Sequence, residues 1–202
     1  TIGFDLRFHP GILKIKELIN QNYLGKIYSI DCQVGQYLPD WQPNKDYRES
    51  MMAKKELGGG VLYDLIHEID YITYLCGDIK SSVCYTNHYS DLEIETNDMA
   101  KILLEFKNGI LGYIHLDFLQ REYSRGCKII AEKGTLEWNF KTNEMFFLNK
   151  NCKKKIKYEI IERNERYIRE LKYFFNCVEN NIDIEQNELV GYNTLKIVDL
   201  LI

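Results

Sequence analysis

Residues 56–77 read ELGGGVLYDLIHEIDYITYLCG, and the folding of this stretch decides how the rest of the chain is read. Three glycines lead into a segment in which Val61, Leu62, Leu65, Ile66, Ile69, Ile72 and Cys76 recur at helical spacing, and Gly77 ends it. The spacing predicts one helix over 61–76. At about 100° per residue, Asp64, His67, Glu68, Asp70, Tyr71 and Tyr74 fall on its other side. Glu68 and Asp70 are expected to be simply solvated there. The glycines match neither G-x-G-x-x-G nor a Walker loop and follow a polar loop, not a strand, so they read as a tight turn and not as a phosphate cradle. His67-Glu68-Ile69-Asp70 falls short of H-E-x-x-H because Tyr71 stands where the second histidine would be, and a metal at Asp64 and His67 lacks third and fourth ligands. A histidine one turn from a carboxylate suits proton transfer near neutral pH, which makes His67, with Asp64 beside it, a candidate acid/base.

Upstream, TIGFDLRF leads to His9-Pro10 and a helical pattern of Ile12, Ile15, Leu18 and Ile19, with Gly25 as the expected stop. KIYSIDCQVGQYL reads as a strand, and the polar, aromatic-dotted connection from Pro39 to Leu57 is long enough to suggest function. Downstream the period changes to that of strands: IKSSVCYTNHY, DMAKILLEF, GILGYIHLDFL, RGCKIIAEK, TLEWNF, EMFFLNK and KIKYEII follow one another over short links. Such an order predicts a mainly antiparallel meander, and two closing helices near 165–180 and 188–202 make the class α+β. The basic run KNCKKKIK, 150–157, is expected to be a solvated hairpin turn.

The chain of 202 residues fits one domain, and 45% hydrophobic with 28% charged residues is ordinary for a globular protein. A net charge of -4 and a pI near 5.7 argue against nucleic-acid binding. Cys32, Cys76, Cys84, Cys127, Cys152 and Cys177 form no C-x-x-C pair, as expected of a reduced, cytoplasmic protein. No apolar run approaches the roughly 18 residues of a membrane span. The start at Thr1 and the end inside TLKIVDLLI suggest a piece of something longer.

Taken together, GFDLRFHP, NYLGKIYSI, YLPDWQPNKDYRES, the GGG…D…H…D stretch, the F-x-N-G turn at 106–109 and EKGTLEW give the chain a resemblance to the C-terminal domain of the Gfo/Idh/MocA oxidoreductases. The resemblance implies a large, open, mostly antiparallel sheet with helices on one face, over residues 1–202. It implies an N-terminal Rossmann domain elsewhere in the protein that binds NAD or NADP and carries the catalytic lysine of an E-K-P motif, neither of which this sequence contains. The chain alone is therefore expected to be inactive. By resemblance His67 is the general acid/base for a hydroxyl or carbonyl of a sugar, nucleotide sugar or cyclitol, and Asp64 is its partner carboxylate, although the family's aspartate often lies four residues before the histidine and here lies three before. The same resemblance implies a homo-oligomer through the open sheet face.

Trp41, Tyr47 and Arg48 in the long loop, with Tyr71, are the candidate substrate contacts, since aromatic platforms and a guanidinium suit a polyhydroxylated sugar. Tyr113, His115 and Asp117 alternate on one strand face and either line the cleft, meet a second copy, or form a satisfied polar patch. Arg7 is open between a site and a structural role. The competing readings are a non-catalytic sugar-binding or assembly module on the same fold, and metal-dependent hydrolysis through Asp64, His67 and Asp70.

Overall fold

The computed structural model describes residues 2–201, without the side chains of residues 200 and 201. Five helices and eight strands lie within that range: α1 Pro10–Asn20, β1 Ile27–Gly35, α2 Val61–Asp64, α3 His67–Cys76, β2 Ile79–Asn87, β3 Met99–Phe106, β4 Leu111–Asp117, β5 Ser124–Ala131, β6 Gly134–Asn139, β7 Glu144–Leu148, β8 Lys153–Lys155, α4 Glu165–Asn180 and α5 Glu188–Leu201. The strands form one open sheet in the order β2-β3-β4-β1-β5-β6-β7-β8.

Two antiparallel meanders, β2–β4 and β5–β8, sit either side of β1. β1 pairs antiparallel with β5 and parallel with β4, in register from Ser29↔Leu111 to Gly35↔Asp117. A parallel neighbour needs a crossover, and α2, α3 and the β2–β3 hairpin provide it. Ile30, Cys32, Val34, Ile102, Ile114, Leu116 and Ile129 point to the helical side, where each is at most 1% exposed. Val83, Tyr85, Leu103 and Leu111 stand on the opposite face and are exposed. One sheet face is therefore covered and the other is bare, the arrangement an antiparallel sheet tolerates when its strands alternate.

The first helix opens where the sequence places it. His9 caps α1 by accepting the Gly11 N–H at Nδ1 (3.0 Å), and Pro10 occupies the first turn, where its missing N–H costs nothing. The helix ends at Asn20, earlier than Gly25, because Asn22 already takes the left-handed conformation (φ 52°) that reverses the chain. The lysine run is solvated and begins in the hairpin turn between β7 and β8, where Asn149 Oδ1 accepts the N–H groups of Asn151 and Cys152, but Lys153–Lys155 go on to form the short edge strand β8, whose charge discourages further strand pairing. The strand expected over KIKYEII stops at Lys155.

The helix expected over 61–76 is two helices. Leu65 leaves the helical region (φ -107°, ψ 28°), which separates α2 from α3. α3 is also covered on nearly every side, by the sheet beneath it and by α1 and the Asp5–Phe8 turn across it. Glu68 and Asp70, expected to be wet, are fully buried and ion-paired: Arg125 Nε lies 2.9 Å from Glu68 Oε1, and Arg7 donates to both Asp70 oxygens at 2.7 and 2.9 Å. Arg7 is thus structural. A helical wheel shows which residues are polar, and it cannot show that a distant arginine comes to cover them.

Gly59 and Gly60 explain the glycine run. A Cβ on Gly59 would lie 2.1 Å from the Met51 carbonyl oxygen and 2.7 Å from that of Met52, and Gly60 sits at φ 120°, where side chains rarely go. Gly59→Ala is expected to lower stability by about 1–3 kcal/mol, read as a fall in thermal midpoint, because backbone atoms cannot move aside as a flexible side chain would.

Candidate functional site

A cavity of about 710 Å³ opens beside the start of α3, within the size range of small-molecule sites. His67, the first residue of α3, and Asp64, the last of α2, both line it. Asp5 from the first turn, Trp41 from the long connection, Arg125 from β5 and Arg166 from α4 complete the polar part of the wall. The break between α2 and α3 is what places His67 at a helix start, with its side chain 26% exposed.

The nearest carboxylate to His67 in its ion-pair geometry is Asp5, not Asp64. His67 Nε2 lies 3.6 Å from Asp5 Oδ1, while Asp64 Oδ2 accepts the Gly60 N–H at 2.9 Å and so caps the entry to α2. Asp64 shares the cavity with His67 but is engaged by the glycine turn. Asp5 is itself nearly buried and paired with Arg166. His67 Nδ1 is buried without a partner, which leaves Nε2 as the nitrogen able to meet a ligand. Phe4 packs edge-on against the imidazole, its ring centroid 6.2 Å away.

Burial lowers the His67 pKa to about 4; Asp5 pulls it back up, and Arg125 and Arg166 add to the lowering. His9, also in the wall, is held at about 4, first by burial and then by Arg166, Arg125 and Arg169. Burial raises Asp64 to about 6 against the pull of the Gly60 N–H, and raises Glu68 to about 7 against Arg125. Burial therefore favours the neutral imidazole of His67 at pH 7. The folded-state value lies below the unfolded one, so His67 favours the fold above pH 6.5 and loses that contribution as the pH falls toward 4. In a proton NMR titration of this chain, the Cε1–H signals of His9 and His67 are expected to keep their neutral-imidazole positions down to about pH 5. A midpoint near 6.5 for His67 would mean that water reaches its imidazole freely.

The other residues singled out in the sequence divide. Trp41 lines the cavity, its indole fixed by an Nε1 hydrogen bond to the Gln36 carbonyl (3.2 Å) and by the edge-on Phe118 ring. Tyr47 lines a second cavity, and its hydroxyl accepts the Glu93 N–H at 3.2 Å. Arg48 belongs to neither wall: Asp46 and Glu93 hold its guanidinium at 2.6 Å each. Tyr71, expected to touch substrate, is 0% exposed inside the core and packs edge-on to Trp138. The wheel put it among polar neighbours, but those neighbours are buried with it. His115 Nε2 and Asp117 Oδ2 lie 2.7 Å apart and Asp117 Oδ1 accepts the N–H groups of Leu119 and Gln120, while His115 Nδ1 is buried without a partner; none of Tyr113, His115 and Asp117 lines the cavity that holds His67.

Sequence reasoning missed Asp5, Arg125 and Arg166. The signal for Asp5 lay only in its place within GFDLRFHP; nothing in spacing ties it to a histidine 62 positions later or to an arginine on α4. Among the described residues no three His, Cys, Asp or Glu side chains are grouped to hold a metal ion, and no helix is long and apolar enough to cross a membrane.

Comparison with known proteins agrees with this architecture. Oxidoreductase P35 of Formosa agariphila is 25% identical over 207 residues, covering 95% of this chain and 60% of that protein. The 2,7-anhydro-N-acetylneuraminate hydratase of Escherichia coli is 32% identical over 114 residues, 54% of this chain and 29% of that one. A levoglucosan dehydrogenase solved with NADH superposes with a TM-score of 0.87 at 18% identity, covering all of this chain and 62% of that structure. The chain thus spans at most about three-fifths of the length of these proteins. Residues 12–137 match the description of the GFO/IDH/MocA C-terminal domain, and the chain belongs to that family of oxidoreductase domains.

Proposed function

We propose that this chain is the substrate-binding half of an NAD(P)-dependent oxidoreductase acting on a hydroxyl or carbonyl of a sugar, nucleotide sugar or cyclitol, with His67 as general acid/base. The observation that carries the reading is a histidine in the wall of a polar cavity, with one ring nitrogen buried and the other 3.6 Å from a carboxylate. By their names, two of the similar proteins above act on sugar-related compounds, and one of those two was solved with NADH. Gly58, Gly59 and Gly60 serve a tight turn and not a dinucleotide cradle; NAD or NADP would be held by the remainder of the protein, and when bound it supplies the hydride acceptor. His67 Nε2 would take the hydroxyl proton, and Asp5 would steady the imidazolium so formed. Trp41 offers a flat apolar surface to a sugar ring.

The full-length protein should reduce NAD or NADP with at least one member of a panel of inositols, hexoses, sugar acids and nucleotide sugars. If none supports turnover and added NADH leaves the cofactor fluorescence unchanged, the alternative of a non-catalytic sugar-binding or assembly module gains instead.

The bare sheet face carries exposed Val83, Tyr85, Leu103 and Leu111, and a homo-oligomer through it would bury them. Light scattering is expected to show self-association that Leu103→Arg shifts toward monomer without lowering the thermal midpoint; a monomeric wild type would refute the assembly. The free state of all six cysteines suits a cytoplasmic setting.

A further inference from the structure

We infer that the connection between β1 and α2 builds a second sugar subsite, so that the substrate is a glycoside of two neutral rings and not a free monosaccharide or a nucleotide sugar. The inference rests on the sugar-oxidoreductase reading above. Residues 36–60 form no loose loop: four short 3-10 turns, Leu38–Asp40, Tyr47–Glu49, Met51–Ala53 and Lys55–Leu57, fold them around a cavity of about 670 Å³. This cavity and the one holding His67 have a single wall residue in common, Trp41. Each is of a size that holds a small ligand by itself, so a substrate of one ring would leave one of them unused.

The chemistry of the second wall is that of a sugar site. The Trp41 indole is held by the Gln36 carbonyl and by Phe118, and the Tyr47 hydroxyl is tied to the Glu93 N–H, so both rings are fixed surfaces. Leu38 and Met52 extend the apolar side. The C–H face of a pyranose stacks on such a surface, while Gln42 and Asn44 amides on the rim can pair with its hydroxyls in donor and acceptor roles. Charge argues against a nucleotide. Lys45 is the lone cation of this wall, set against Asp46 and Glu49, and Arg48 is consumed by Asp46 and Glu93. A diphosphate calls for several unpaired cations, and this wall has one.

The test is calorimetric titration of the full-length protein with the methyl glycosides of glucose, galactose, mannose and xylose, with cellobiose, lactose, mannobiose and xylobiose, and with UDP-glucose. At least one disaccharide is expected to bind roughly tenfold or more tightly than the matching methyl glycoside, with UDP-glucose showing no such gain. Tyr47→Ala should abolish the gain. Because that change removes a packed ring, the exposed double variant Gln42→Ala/Asn44→Ala should also reduce it, with methyl glycoside binding retained. Methyl glycosides that bind with no gain from any second ring, a gain that survives both variants, or a gain confined to UDP-glucose would each overturn the second subsite alone. Absence of binding by every sugar would overturn the sugar reading itself, and the subsite with it.

Discussion

Replacing His67 by alanine in the full-length protein is expected to lower kcat/KM for alcohol oxidation by roughly 10²–10⁴-fold, the usual contribution of a positioned acid/base. The size of the effect follows from three facts about the site. Burial lowers the imidazole pKa to about 4, so the proton-accepting form predominates at pH 7 but is a weaker base than a free histidine, which argues for the lower end of that range. Only Nε2 is open to a ligand, since Nδ1 is buried. Asp5 lies 3.6 Å from that nitrogen, close enough to favour the imidazolium while the proton is held. The thermal midpoint should change little, because His67 is partly exposed and makes no hydrogen bond among the described residues. Steady-state kinetics with the best substrate of the panel provide the measurement. Undiminished turnover in the variant would remove His67 from the chemistry.

The second large effect concerns stability. Glu68→Ala is expected to cost about 3–5 kcal/mol, because it strands the Arg125 guanidinium, whose side chain is only 11% exposed, without its partner. For a chain of this length that corresponds to a fall in thermal midpoint on the order of 6–20 °C. A solvated glutamate, which is what the helical pattern suggests, would change stability by less than about 0.5 kcal/mol, so one melting curve separates the two descriptions. Replacing both partners by apolar residues, Glu68→Leu with Arg125→Met, should recover most of the loss, since no buried charge is then left alone. A double variant as unstable as the single one would mean that packing, not charge, is lost at Glu68.

The fold was largely legible because its signals are local. Alternation in DMAKILLEF and GILGYIHLDFL shows strands with one buried face, and Ile102, Leu104, Ile114 and Leu116 are indeed the buried set. Short links between strands predict antiparallel neighbours, which holds for β2–β4 and for β5–β8. The parallel pairing of β1 with β4 was not legible, since it joins residues some eighty positions apart and no turn chemistry specifies it. The break at Leu65 escaped for a related reason: Leu65 and Ile66 suit a helix, and it is the glycine turn held against Met51 and Met52 that sets where α2 enters.

By itself, then, the sequence determined most of the strands and helices and the α+β class, because periodicity is a property of neighbours along the chain. Tertiary structure alone decided which carboxylate lies beside His67, which acids are buried, and which loop residues meet a cavity. Asp5 replaces Asp64 beside His67, Glu68 and Asp70 belong to Arg125 and Arg7, Tyr71 is core, and Trp41 is shared by two cavities. Each of those outcomes depends on distances between residues far apart in sequence. A charge is solvated or paired according to what the fold lays over it, and that covering residue leaves no mark on the pattern of the helix it covers.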